Sequence, residues 1–143
     1  MKCRTVVDRE RDEEVVIYVR EKSRISEEIE RFVSNLESGI VGFDGNEIVP
    51  INLNDVYCFT VEDGRVYALT NDNKLRLKQR LYEIEDIAGA DFLKINQSCL
   101  IRVDKIKKFD ASLTGGLSVI LKNGYKDYIS RRQLKTVKER IGF

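Results

Sequence analysis

The sequence predicts a mainly β fold with an α+β extension at its N-terminus: short antiparallel strands joined by tight turns, and two or three short helices. Three observations predict it. Short apolar runs recur on either side of turn signals at Asp44-Gly45-Asn46, Glu62-Asp63-Gly64 and Lys122-Asn123-Gly124, a pattern that reads as hairpins. Helical spacing is confined to three places, and strands and helices do not alternate one for one. That disfavours a doubly wound nucleotide-binding sheet.

The elements follow in chain order. Val15 to Val19 (Val-Val-Ile-Tyr-Val) is β-branched and aromatic and predicts a strand. Ser26 stands as an N-cap, with Glu27, Glu28 and Glu30 in the first turn, where the helix dipole favours carboxylates. Ile29, Phe32, Val33 and Leu36 then form one apolar stripe, so residues 26–37 read as an amphipathic helix with an acidic outer face, stopped by Gly39. Strands are expected at 40–43, 47–53, 56–61, 65–70 and 74–78. Leu77, Leu81, Ile84 and Ile87 or Ala88 carry helical spacing before Gly89. Residues 92–95, 100–103 and 106–109 look extended, and 117–121 and 125–129 flank Lys122-Asn123-Gly124, whose Asn-Gly pair suits a type I′ turn. Ser130 and Gln133 have the spacing of a capping box, opening a last helix whose inner face is Leu134, Val137 and Ile141. The predicted division is a strand–helix extension over 1–38, serving dimerisation or a partner or simply capping the β core, and a β-rich domain over 39–143, with the boundary near Ser38–Gly39.

Composition narrows the function. Of the 143 residues 42% are apolar and 34% charged, enough for a folded core. Histidine is absent and the three cysteines are scattered, so imidazole-based catalysis and a zinc site are not expected. No nucleotide-binding or nucleophile motif occurs. The expectation is therefore no catalytic residue, no metal and no small-molecule cofactor. An odd cysteine count, no secretory-type N-terminus and no run approaching the roughly 20 apolar residues of a membrane span point to a cytoplasmic protein.

The net charge of +1 conceals a gradient. Residues 1–63 hold 8 Lys/Arg against 15 Asp/Glu, whereas residues 92–143 hold 12 against 4. A basic half suits a polyanion, nucleic acid above all, and equally a solvated basic face. Two loops concentrate the chemistry. In Lys94-Ile95-Asn96-Gln97-Ser98 the amides can pair with adenine in a major groove, while Lys94 and Ser98 suit phosphate; an ordinary polar turn is the other reading. In Ser130-Arg131-Arg132 a helix start offers free N–H groups to a phosphate, and arginine can grip guanine with two bonds. Two arginines there oppose the helix dipole, so either a bound anion or a neighbouring carboxylate must compensate.

The run FLKINQSCLIRVDKI at 92–106 resembles the signature segment of LytTR DNA-binding domains, which usually reads like F-x-R-I-H-R-S-Y-I-V-N-L-D-K-I. LKNG at 121–124 and ISRRQLK at 129–135 resemble the family's closing motifs. The Asp63-Gly64-Arg65 hairpin and RLYEI at 80–84 resemble its earlier hairpin and short helix. In order, the match covers about residues 44–142. The resemblance implies an elongated arrangement of short antiparallel sheets that places loops into successive major grooves of double-stranded DNA. It implies base contacts from Gln97 and Arg132, a further contact near Gly64 and Arg65, and phosphate contacts from Lys94, Ser98, Ser130, Arg131 and Lys135. Asn96 stands where histidine is common. Arg102 stands where asparagine is usual, as an added phosphate contact or a turn residue. About 40 preceding residues are too few for a phosphoacceptor receiver domain, so the chain looks like a free-standing regulator. Such a regulator would be a homodimer on repeated half-sites, with a membrane-bound regulatory protein as a further partner. A β-rich protein-interaction module without DNA binding is the rival reading.

Overall fold

The computed structural model describes residues 2–36, 39–112 and 115–143. The helices are α1 (Arg24–Leu36), α2 (Leu81–Ala88) and α3 (Arg131–Ile141). The strands are β1 (Val41–Asp44), β2 (Glu47–Pro50), β3 (Cys58–Glu62), β4 (Arg65–Leu69), β5 (Lys74–Leu77), β6 (Phe92–Asn96), β7 (Cys99–Arg102), β8 (Ile106–Ala111), β9 (Leu117–Leu121) and β10 (Lys126–Ile129). Seven strands form one sheet in the order β2-β1-β5-β4-β3-β7-β6, and three form a second in the order β10-β9-β8. Every pairing is antiparallel, so the mainly β, antiparallel expectation holds.

Alternation along the strands splits the core in two. Phe59, Val66, Ala68, Leu75, Leu77 and Leu100 point to one face of the large sheet, where Leu81, Ile84 and Ala88 of α2 cover them. Cys58, Leu93, Ile95, Cys99 and Ile101 point to the other, against Val119 and Leu121 of β9, Ile129 of β10 and Val137 of α3. Strands β3, β6 and β7 are covered on both faces and so read as nearly unbroken apolar runs. At the other end of the sheet β1 approaches β5 closely. A Cβ on Gly42 would lie 2.7 Å from the Cβ of Leu75, so only glycine fits.

Several local expectations are corrected. Val15 to Val19 forms no strand: among the described residues no segment pairs with it, and β propensity without a partner leaves backbone groups unsatisfied. α1 begins at Arg24, and its cap is Ser23 rather than Ser26. The Ser26 hydroxyl donates to the Ser23 carbonyl at 2.8 Å, and Ser26 Oγ accepts from the Ser23 N–H at 3.0 Å. Ile29 and Val33 turn inward while Phe32 stays exposed; Glu37, the expected last residue, and Ser38, at the expected boundary, lie outside the described residues. The type I′ turn expected at Asn123-Gly124 falls at the β3–β4 hairpin instead. Asp63 and Gly64 have φ of 50° and 74°, the pattern of a type I′ turn. At Lys122-Asn123-Gly124 only Gly124 has positive φ, the loop has three residues, and the Asn123 side chain accepts the Tyr125 N–H at 3.0 Å.

Candidate nucleic-acid interface

The antiparallel register brings three distant segments to one end of the large sheet. Thr60 of β3 faces Cys99 of β7, so the end of β3 and the start of β7 coincide. The Val61 N–H donates to the Ser98 carbonyl at 2.9 Å, which sets the β6–β7 turn, Gln97-Ser98, beside the β3–β4 turn, Asp63-Gly64. On the other side the Ser130 N–H donates to the Ile95 carbonyl at 2.8 Å. The start of α3 therefore stands against β6, next to the same turn. Hairpin tip, turn and helix start form a row.

Along that row Gly64, Arg65, Gln97, Ser98, Arg131, Arg132 and Lys135 are exposed, and Lys94 and Ser130 are half-buried. Neither Arg131 nor Arg132 has an ion-pair partner among the described residues, and the first turn of α3 holds no acidic residue. A neighbouring carboxylate thus does not compensate the two arginines. The expected capping box is also not formed: the Ser130 side chain makes no capping hydrogen bond, and the Gln133 and Leu134 N–H groups both donate to the Ser130 carbonyl at 3.0 Å. The Arg131 and Arg132 N–H groups have no acceptor within the described chain. Unused donors and unpaired guanidinium groups at a helix start are features that favour an anion there. Lys135 pairs only weakly, with Glu139 at 4.0 Å.

Asn96 and Arg102 sit elsewhere than expected for groups that touch DNA. Asn96 is 1% exposed. Its amide donates to Asp127 Oδ1 at 3.1 Å and to the Tyr128 carbonyl at 2.9 Å, and its oxygen accepts the Ser98 N–H at 2.8 Å. The side chain has spent its hydrogen-bonding capacity on holding the turn that carries Gln97. Arg102 is 2% exposed. It donates to the Leu53 carbonyl at 2.9 Å, to Asn54 Oδ1 at 3.2 Å and to Asp104 at 2.8 Å, and lies over the Phe92 ring. Buried in this way it is no phosphate contact; it is a turn residue, the N-cap of the 3-10 turn Val103–Lys105, and it also ties β7 to the 3-10 turn at Leu53–Asp55.

Sequence reasoning passed over the groups behind Asn96. Asp127 of β10 receives Asn96 on one oxygen and the Tyr125 hydroxyl, at 2.9 Å, on the other. The Tyr125 oxygen lies 3.3 Å from Thr60 Oγ1 on β3. This chain of hydrogen bonds crosses from one sheet to the other beneath the row of loops. Burial pushes the Tyr125 phenol above its usual range, so it remains a donor. Beside it, a hydrogen bond to Cys58 together with burial pushes the Cys99 thiol up, which keeps it unreactive. The available signal was Asp127 itself, one of only four acidic residues in the basic stretch from Phe92 onward.

The fold and its basic end match a class of DNA-binding domain. The family model of the LytTr DNA-binding domain matches residues 46–142, and the chain belongs to this family. Uncharacterized HTH-type transcriptional regulators of Staphylococcus aureus, in strains NCTC 8325 / PS 47 and COL, are 37% identical over 102 residues, 71% of this chain and 69% of theirs. Those names refer to helix-turn-helix proteins; here strands β6 to β10 separate α2 from α3. The LytTr DNA-binding domain of a Bacillus cereus protein has the same fold, with a TM-score of 0.68 at 18% identity, over 73% of this chain and 97% of that one. The family model begins within the β1–β2 turn, so α1 and β1 lie outside it. Among the described residues no helix is long and apolar enough to cross a membrane.

Proposed function

We propose that this chain is a transcriptional regulator that reads double-stranded DNA with the row of loops at one end of its large sheet. Gln97 and Arg132 make the base contacts. Arg65 at the neighbouring hairpin tip supplies a third point, and Lys94, Ser98, Ser130, Arg131 and Lys135 hold phosphates. The observation that carries this reading is the pair Arg131 and Arg132, exposed, without an ion-pair partner among the described residues and beside unused N–H donors. A surface selected for stability alone would place acidic side chains at that helix start.

The loops enter successive major grooves, and two copies occupy repeated half-sites. Asn96 and Arg102 act beneath the surface and touch no nucleotide. Selection of the purified protein against a random duplex pool, read by sequencing, tests the proposal. Enrichment of a repeated motif is expected; enrichment of no motif returns the protein-interaction reading. Affinity for the selected site should also fall steeply with salt, as condensed counterions are released, and a flat response would refute the phosphate contacts.

A further inference from the structure

The three-stranded sheet and α3 cover only part of their face of the large sheet. On that face the cross-strand register sets Thr60, Tyr67, Arg76, Phe43 and Ile48 side by side, from β3 across β4, β5 and β1 to β2. Cys58, two residues before Thr60, lies in the core shared with the second sheet, and Leu69 opposite it packs against that core. Beyond them the cover ends. Arg65, Lys74, Arg76 and Lys78 are exposed, and Tyr67 and Phe43 are half-buried.

Cations dominate this open part. Alternation puts Arg65 of β4 and Lys74 and Arg76 of β5 on it. Val66 faces Leu77, so Lys78, one step further, comes opposite Arg65. Lys74 and Lys78 lie over the Tyr67 and Phe43 rings, at 4.6 and 4.9 Å. Among the described strands Glu62 is the one carboxylate that alternation puts on this face, and Lys74 takes it. Arg65, Arg76 and Lys78 have no ion-pair partner among the described residues. Like charges set opposite one another weaken a sheet, so stability does not account for Arg65 against Lys78. Protection of a free edge does not either, since β4 and β5 are inner strands and β2 is the edge. Uncompensated cations clustered on one open face suit a polyanion.

Position says which polyanion. Arg65 adjoins the Asp63-Gly64 tip, so it belongs both to this patch and to the row of loops, and the two surfaces are continuous. Lys78 stands beside Arg65, and Arg76 follows two residues further along β5. We infer that the phosphates flanking the base-read segment of the duplex run on past the hairpin tip and are held by Arg76 and Lys78. The inference rests on the DNA-binding reading and adds to it a track that is blind to sequence. β5 lies two strand spacings from β3, about 10 Å. The track therefore extends the contact by about three base pairs beyond those that the loops read.

Binding of the full chain to one selected half-site, in duplexes with trimmed or extended flanks, tests it. Extension at one end, the end past the hairpin tip, should raise affinity over about three base pairs and then level off. Arg76→Gln with Lys78→Gln should remove that gain. On the extended duplex it should also lower the slope of log affinity against log salt by about two. A fourfold rise in salt then costs the wild type about tenfold more affinity than the variant. Affinity for the trimmed duplex, the selected motif and the melting temperature should not change. Arg76→Lys with Lys78→Arg keeps both charges and should keep gain and slope. A wild type indifferent to flank length, or a Gln variant that retains the gain, overturns the track and leaves the loop reading standing; an acidic protein seated on this face would give that result. A Gln variant that loses the trimmed duplex as well also overturns it, because the two cations would then belong to the base-reading surface. A wild type that binds no duplex overturns both.

Discussion

The two faces of the seven-stranded sheet are built differently. On one, α2 covers a core of aliphatic and aromatic side chains around Phe59, Ile84 and Leu100. On the other, the apolar contacts of Ile95, Ile101, Val119 and Val137 are threaded by hydrogen bonds from Thr60 through Tyr125 and Asp127 to Asn96. Apolar packing fixes volume and is indifferent to small rotations; hydrogen bonds fix direction. The proposed recognition loops hang on the threaded face. The difference teaches that the fold separates an element supplying stability from one supplying aim.

Substitutions can break or sharpen that contrast. The largest effect is expected from Phe59→Ala on the α2 face. It should cost about 3–5 kcal/mol of stability, seen in urea unfolding, while the protein that remains folded binds DNA as before. Asp127→Ala on the threaded face strands the Asn96 amide and the Tyr125 hydroxyl, at about 1–3 kcal/mol. Here affinity per folded molecule should drop as well, because the Gln97 turn loses its fixed orientation. Unchanged affinity would reduce the network to packing. Arg132→Ala should cost about 1–3 kcal/mol of discrimination at one base position with no shift in melting temperature. Smallest is Lys135→Ala, which should weaken all sequences alike and lower the slope of log affinity against log salt by about one.

Much of the architecture was legible in the sequence because it is written in local periods. The alternation of β4 and β5, the Asp63-Gly64 turn and the buried Val137 stripe of α3 depend on neighbours a few residues apart. What failed depended on partners far along the chain or on a side chain's choice of a nearby backbone group. Val15 to Val19 has the propensity of a strand, yet nothing pairs with it among the described residues. Asn123-Gly124 has the composition of a type I′ turn, but the Asn123 side chain accepts the Tyr125 N–H and only Gly124 has positive φ. At the proposed site, Gln97 and Arg132 are exposed as the resemblance implied. Asn96, one residue from Gln97, faces inward because a register shift between Lys94 and Asn96 turns it toward Asp127. Composition cannot distinguish those two amides; the position of β10 does.

The bond from Asn96 to Asp127 also sets how this surface can change over generations. Asp127 joins Asn96 to Tyr125, so replacing Asp127 strands both, and replacing either of them leaves an Asp127 oxygen without its side-chain donor. A new amide at 96 or a neutral residue at 127 is tolerated only when the others change with it, so the three positions are expected to travel through related sequences as a block. Gln97, Arg131 and Arg132, bound to nothing beneath them, are free to vary singly. A lineage could therefore acquire a new DNA target by altering exposed letters one at a time, over a hidden grammar that shifts only in whole phrases.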